Sequence, residues 1–309
     1  MIAIPHKAKQ FLLVLIKLMI VAAAFYFIYS RLRMQSWEDW EGLTVRFTLV
    51  SLLGMILLTI VNWLFEIFKW QELVKTIHPI SFAKACEQTL GSLTASIFTP
   101  NRVGEYGAKI LYFPQPLRKR IILLNFLNNS MQMTVTTLFG VLGLWLYPLP
   151  TGLPKLGSIL GLLVLGGIMI LAVFSFKKLK IYGYTLQDVF SKIKELPQTS
   201  LLTVFQLSVL RFLVFSHQWY FLLELIGASV PYPTAMATIF SMYFIASLVP
   251  TIHLMDVVIK GSVGVLLFAN LGVNEWIVVS VTSLMWLFNL VLPVLVGSIY
   301  VIKFKPKLS

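Results

Sequence analysis

Charged residues are scarce in this sequence: they make up 12% of its 309 residues, whereas 58% are hydrophobic. A soluble domain carries about 25% charged residues, and the mean hydropathy of this chain is +0.85. No polar stretch is long enough to form a water-soluble core. The composition therefore predicts a single transmembrane domain over residues 1–309, with lipid as the solvent for most of the chain.

Cysteine is almost absent as well, since Cys86 is the only one. A single cysteine excludes an internal disulfide and a cysteine-based metal cluster. The four histidines show no paired metal-ligand spacing, and the sequence contains no glycine-rich phosphate loop and no serine-nucleophile motif. We therefore expect a protein that is not an enzyme and that needs no cofactor.

Long apolar runs are the strongest feature that the sequence does have. Six of them are long enough to cross ~30 Å of hydrocarbon, and they lie near 11–30, 46–68, 121–147, 156–176, 200–227 and 275–302. Two further apolar regions, 82–113 and 234–271, are broken by Pro100 and Pro250. The residue before a proline resists the helical conformation, and the freed backbone groups need partners at membrane depth. We expect an all-α polytopic membrane protein with about six transmembrane helices and two re-entrant helical hairpins.

The net charge of +13 is explained by the side of the membrane that the basic residues face. If both hairpins return to the side from which they enter, most of the 25 Lys and Arg residues fall on one side, and cytoplasmic loops are the ones enriched in Lys and Arg. This distribution predicts a multi-pass protein of a bacterial plasma membrane, with both termini in the cytoplasm and no nucleic-acid partner. It fits two full crossings as well as it fits each hairpin, so both topologies stay open.

The two proline-broken regions resemble each other, which predicts an internal repeat. Aligned on their prolines with one inserted residue, they pair Glu105 with Asp256, Lys109 with Lys260 and Arg102 with His253. Acid and lysine are four residues apart in both copies, which places them on one helical face. Three spans separate the copies, so we expect inverted repeats at about 46–147 and 200–302, as in alternating-access transporters with a site near the midplane. A chance match and a purely structural ion pair are the alternatives.

Two more polar patterns lie inside predicted spans. One face of the span 121–147 carries Asn125, Asn128, Asn129, Gln132 and Thr136. This stripe favours a hydrated surface that faces a cavity, and the alternative is hydrogen bonding between helices. Arg211 lies well inside the span 200–227, where an arginine is a functional candidate and its forked donors suit phosphate. A salt bridge to Glu66 or Glu224 is the alternative for Arg211.

The run from Pro100 to Glu105, PNRVGE, a second segment with a proline and an acid, and a Gly272-bearing loop before the last span resemble the lysylphosphatidylglycerol synthase transmembrane-region family of flippase-like membrane proteins. The resemblance covers nearly the whole chain, although only the first motif is specific. It implies movement of a phospholipid or lipid-linked molecule between leaflets. No soluble aminoacyl-transferase domain follows, so synthase activity is not implied. The segment Ile252 to Asp256 also departs from the glycine-rich run and glutamate of that family.

We therefore expect a membrane transporter that moves a phospholipid or lipid-linked molecule, with a lipid in the bilayer as its substrate. The residues predicted to form the pathway are Arg102, Glu105, Lys109, Asp256, Lys260, Arg211, Asn125 and Asn129. Two other functions stay open: a proton- or ion-coupled carrier of a small solute, and a non-transporting scaffold for a lipid-modifying enzyme. A protein partner would be a second copy of the chain or such an enzyme.

Overall fold

The computed structural model describes residues 47–99, 102–148, 186–249 and 256–304. These residues form helices joined by turns, and no strand occurs among them. The described part of the chain is thus all-helical, as predicted. The expected spans near 11–30 and 156–176, and the expected hairpin tips at Pro100 and Pro250, lie outside the described residues.

Ten α-helices occur in the described ranges. They are α1 (Leu49–Lys75), α2 (Phe82–Ser96), α3 (Val103–Ile110), α4 (Arg118–Leu146), α5 (Leu186–Lys194), α6 (Gln198–Leu225), α7 (Tyr232–Ser247), α8 (Asp256–Ala269), α9 (Glu275–Trp286) and α10 (Leu292–Lys303). A short 3₁₀ helix, Gln115–Leu117, precedes α4. A π-helical segment, Leu287–Val291, joins α9 to α10, so that helix is continuous from Glu275 to Lys303.

Three described helices are long and apolar enough to cross a bilayer: α1, α6 and the continuous helix Glu275–Lys303. This agrees with the predicted class of membrane protein. Helix α4 has 29 residues and so has the length of a span, but its amide residues keep it less apolar than the other three. Whether it crosses the membrane therefore stays a prediction.

Helix α1 extends further than the apolar run that predicted it. The run ends near residue 68, and the helix continues to Lys75. Near the end of the run, Glu66 and Lys69 form a buried ion pair with each other at 3.1 Å, so neither charge is left unpaired inside the helix. At the other end, Thr48 caps α1, since its Oγ1 accepts a hydrogen bond from the Ser51 amide at 3.1 Å.

Each proline-broken region is divided into two helices. In the first, α2 ends at Ser96 and α3 begins at Val103. In the second, α7 ends at Ser247 and α8 begins at Asp256. The two helices of each region pack against each other. The regions are therefore helix pairs rather than straight helices, and their re-entrant position in a bilayer stays a prediction.

The order of helices is repeated along the chain. A long helix, two shorter helices and a long helix occur in α1 to α4, which we call the first series, and again in α6 to α10, the second series. The series exchange contacts: α4 packs on α7, α10 packs on α2, and α1 packs on α6. The contact of α4 with α7 is equivalent to the contact of α10 with α2, because each joins the last long helix of one series to the first short helix of the other. A twofold relation between two repeats requires such equivalent contacts.

Two glycines allow this exchange at close range. A Cβ built at Gly143 on α4 would lie 2.7 Å from the carbonyl oxygen of Ala237 on α7. A Cβ built at Gly297 on α10 would collide with the carbonyl oxygen of Leu90 on α2. Small residues let helix backbones approach closely in membranes. The two long helices therefore dock on the opposite series by the same means.

Candidate functional site

A cavity of about 470 Å³ lies between the two series, and we call it the central cavity. It is lined by residues of α1, α3, α4, α6, α7, α8, α9 and the π-helical segment. Its charged lining residues are Arg102, Arg211, Asp256 and Lys260. Both series therefore contribute charged side chains to this cavity, and its position at the midplane of a membrane stays a prediction.

Glu66 joins the two series beside this cavity. Its carboxylate, which is buried, lies 3.0 Å from Nη1 of Arg211 and 3.1 Å from Nζ of Lys69. The Nδ2 group of Asn128 donates a third contact to it at 2.8 Å. The Oε1 atom of Gln132 accepts from Lys69 at 3.1 Å and from Arg211 at 3.4 Å. The acid therefore holds one cation from each series.

Glu105 forms a second buried centre, on α3. Its carboxylate lies 2.7 Å from Nζ of Lys109 and 3.3 Å from Nε of Arg102. Lys109 also donates to Oδ1 of Asn125 at 2.7 Å, and its Nζ lies 3.8 Å from the centre of the Trp70 ring. Lys109 thus has a carboxylate, an amide and an aromatic face as partners, as a fully buried ammonium requires.

The backbone between α2 and α3 directs Arg102 to the cavity. Arg102 has φ 59° and ψ 24°, the left-handed conformation, which is uncommon for a residue other than glycine. Two residues later, the amide of Gly104 donates to Oγ1 of Thr99 at 2.9 Å, and a Cβ at Gly104 would lie 2.8 Å from that side chain. Strained residues of this kind cluster at functional sites. The described part of the PNRVGE motif, from Arg102 to Glu105, therefore presents an arginine to the cavity.

Asp256 and Lys260 pair with each other on α8, with 2.5 Å between Oδ2 and Nζ. Both side chains keep access to solvent, at 29% and 33% exposure. Nζ of Lys260 lies 5.4 Å from the centre of the Tyr243 ring. This pair has the four-residue spacing of Glu105 and Lys109, but it lines the central cavity whereas its counterpart is buried behind the wall.

A chain of side-chain amides crosses the interface of the series beside the cavity. Asn62 donates from Nδ2 to Oδ1 of Asn289 at 2.8 Å, and Asn289 donates to Oε1 of Gln218 at 2.9 Å. Gln218 donates in turn to Oγ1 of Thr59 at 2.9 Å. Asn289 belongs to the π-helical segment, and such segments occur frequently at functional sites.

The residues predicted from the sequence divide into two layers. Arg102, Arg211, Asn129, Asp256 and Lys260 line the central cavity. The other three, Glu105, Lys109 and Asn125, are buried behind it and contact one another. The structure therefore brings all eight to one region, and their roles in transport stay predictions.

The alternatives left open for Arg211 and for the polar stripe of α4 have separate outcomes. Arg211 forms the salt bridge to Glu66 and also lines the cavity. Within the stripe, Asn125 and Asn128 make hydrogen bonds to buried charges on other helices. The remaining members, Asn129, Gln132 and Thr136, line the cavity. Gln132 also accepts hydrogen bonds from Lys69 and Arg211 on other helices, so the stripe combines interhelical hydrogen bonding with a face towards the cavity, and its hydration stays a prediction.

Several cavity residues were not among the predicted site residues. Asn62 and Asn289 line the cavity, and Glu66 and Lys69 form the buried centre behind Arg211. A signal for three of them was present, because Asn62, Glu66 and Lys69 have the i, i+4, i+7 spacing of one helical face. Asn289 is isolated in an apolar run, and no spacing in the sequence distinguishes it.

The sequence was compared with known proteins in two ways. No protein-family model matches the chain, and no curated protein matches it. Its function is therefore inferred from the central cavity and the residues around it.

Proposed function

We propose that this protein is a membrane transporter that moves a phospholipid or lipid-linked molecule between leaflets. The central cavity carries this proposal, because charged and large apolar side chains share its lining. Arg102 and Lys260 provide charge, whereas Trp63, Met285 and Trp286 provide apolar surface. A lipid has both a polar headgroup and apolar chains, so a lining of mixed character suits it better than an entirely polar one.

The membrane arrangement that this function needs is also part of the proposal. Six spans and two re-entrant hairpins form inverted repeats in a bacterial plasma membrane, with both termini in the cytoplasm. The repeated order of helices supports this arrangement, and so do the equivalent contacts of α4 with α7 and of α10 with α2. In such an arrangement, rocking of one repeat against the other exposes a central site to each side in turn.

The PNRVGE motif, which carries the resemblance to the flippase-like family, supports the same function. It supplies Arg102 to the wall of the central cavity and Glu105 to the ion pair behind that wall. Two residues of the motif, Arg102 and Glu105, are therefore part of the proposed site. The proposal concerns lipid movement alone.

A carrier of a small solute is the competing function, because a cavity of about 470 Å³ is within the size range of small-molecule sites. The two functions differ in what crosses the membrane. A lipid carrier moves tail-labelled lipids between leaflets, whereas a solute carrier leaves their distribution unchanged.

The test is a leaflet-resolved assay in proteoliposomes with tail-labelled fluorescent phospholipids and a membrane-impermeant quencher. Thr136 lines the cavity, whereas Thr134, two residues away on the same helix, is exposed. Thr136→Trp should therefore fill the cavity and slow lipid movement, and Thr134→Trp should leave it near the wild-type rate. Wild-type protein that moves no lipid beyond the rate of empty liposomes contradicts the proposed function.

A further inference from the structure

The buried acids beside the central cavity have more cationic partners than they can neutralise. Glu66 contacts both Lys69 and Arg211, and Glu105 contacts both Lys109 and Arg102. One carboxylate balances one cation, so each centre keeps a net positive charge. The third pair, Asp256 with Lys260, is balanced. Among the described residues, this site therefore has two positive charges in excess.

The cations differ in where they lie. Lys69 and Lys109 have no exposed side-chain surface, whereas the side chains of Arg102 and Arg211 are 23% and 13% exposed and line the cavity. Each lysine thus contacts its acid away from the cavity, and each arginine contacts the same acid at the cavity wall. The excess positive charge is consequently presented to the cavity by two guanidinium groups, one from each series.

Both guanidinium groups are held in place by the protein. Arg211 is positioned by Glu66, by Gln132 at 3.4 Å and by the Trp63 ring, whose centre is 5.7 Å from its Cζ. Its Nε is buried without a hydrogen-bond partner among the described residues. Arg102 is positioned by its left-handed backbone and by Glu105. Donors fixed in this way suit an oxyanion, because guanidinium binds phosphate through parallel hydrogen bonds.

We propose that the central cavity binds a phosphate or similar oxyanion between Arg102 and Arg211, and that its preferred ligand is net-anionic. This inference rests on the proposed function and specifies the headgroup that the lipid carries. A net-anionic headgroup compensates the two excess charges. A zwitterionic headgroup brings its own cation into a site where, among the described residues, every acid already has a partner, and an uncompensated buried charge is costly.

The first test compares two tail-labelled lipids with the same chains, phosphatidylglycerol, which is anionic, and phosphatidylcholine, which is zwitterionic. We expect wild-type protein to move phosphatidylglycerol about tenfold faster, because both lipids present a phosphate but only phosphatidylcholine adds a quaternary ammonium, which the excess positive charge repels. Equal rates for the two lipids overturn the inference and leave the proposed function intact. Movement of neither lipid overturns the proposed function.

The second test uses variants that keep every acid paired. Arg211→Gln leaves Glu66 with Lys69, and Arg102→Gln leaves Glu105 with Lys109, so both variants should fold. We expect the ratio of phosphatidylglycerol to phosphatidylcholine rates to fall towards one in each. Lys84→Gln is the matched control, because Lys84 is an exposed cation paired with Glu87 outside the cavity. A wild-type ratio in both arginine variants overturns the inference.

The third test distinguishes a lipid headgroup from a free anion and does not depend on transport. Glycerol 3-phosphate should raise the Tm of wild-type protein more than sodium chloride does at equal ionic strength, and Arg102→Gln should lose this increase. The absence of a specific increase overturns the anion site. Glycerol 3-phosphate that binds and is itself taken up into proteoliposomes identifies the source as a free anion, which contradicts the proposed lipid substrate while supporting the oxyanion site.

Discussion

The carboxylate of Glu66 on α1 lies 3.0 Å from the guanidinium of Arg211 on α6, and this ion pair joins the two helix series. Lys69 contacts the same carboxylate oxygen, Oε2, and Asn128 donates to the other oxygen, Oε1. Helices α1 and α6 pack against each other along their lengths. The acid is thus a shared element of the interface and of the cavity wall.

Neutralising this acid should destabilise the protein. In Glu66→Gln, Lys69 and Arg211 lose their carboxylate while they remain buried, and breaking a buried ion pair costs about 3–5 kcal/mol. We expect a clearly lower Tm for the purified protein in detergent micelles, measured by the fluorescence of its tryptophans on heating.

Glu87→Gln is the matched control for that measurement. Glu87 pairs with Lys84 at 2.6 Å, but the lysine side chain is 43% exposed, and exposed ion pairs contribute little. Its Tm should stay close to that of the wild type. Equal Tm values for the two variants would show that Glu66 is not needed for the interface.

Alanine substitutions at three glycines should change the stability of the protein in opposite directions, depending on whether the glycine lies at a contact between the two series. Gly143→Ala and Gly297→Ala place a Cβ against the backbone of the opposite series, and overpacking typically costs about 1–3 kcal/mol. Gly54→Ala adds the same group where nothing lies within 4 Å. Alanine is a better helix former by about 0.5–1 kcal/mol, so this variant should gain stability. Thermal unfolding of the three variants checks the signs, and destabilisation by Gly54→Ala would contradict the packing explanation.

Much of the fold could be predicted from the sequence because apolar length and proline breaks are local signals. Helices α4 and α6 begin and end within a few residues of their predicted runs, and both broken regions are helix pairs. Helix α1 lies where a span was predicted and continues past the apolar run to Lys75. Charge usually ends a span, but here Glu66 and Lys69 neutralise each other inside the helix.

The site was predictable only where its residues share a local spacing. The four-residue spacing placed Glu105 with Lys109 and Asp256 with Lys260, and the structure has both pairs. The contact of Asn289 with Asn62 joins residues 227 positions apart, and no periodicity can show such a contact. Spacing also could not show that one pair is buried and the other partly exposed, because burial depends on which helices pack above each face.

The left-handed backbone of Arg102 gives a third prediction. Arg102→Gly and Arg102→Ala both remove the guanidinium, but only glycine adopts this conformation without strain, which costs other residues about 1–2 kcal/mol. The glycine variant should therefore be the more stable of the two by about 1 kcal/mol, as measured by thermal unfolding. Ala108→Gly, inside α3, is the control and should lower stability. A glycine variant less stable than the alanine variant would show that the turn does not require this conformation.

The acids at equivalent positions of the two helix pairs, Glu105 and Asp256, are both expected to be needed for transport, but they should differ in their effect on stability. In Glu105→Gln, the buried Lys109 and the largely buried Arg102 lose their common carboxylate. We expect a loss of stability of about 3–5 kcal/mol together with a loss of lipid movement. In Asp256→Asn, Lys260 is left without its carboxylate, but its side chain is 33% exposed and faces the cavity, so water can solvate it.

Asp256→Asn should therefore keep a Tm near that of the wild type and still slow lipid movement in proteoliposomes. This combination separates a role in transport from a role in folding, because the variant remains intact while Lys260 loses the carboxylate that positions it in the cavity. Full transport by a stable Asp256→Asn protein would remove Asp256 from the pathway. A Tm as low as that of Glu105→Gln would instead show that the Asp256–Lys260 pair is needed for folding. Water in the cavity would then not be sufficient to solvate the unpaired Lys260.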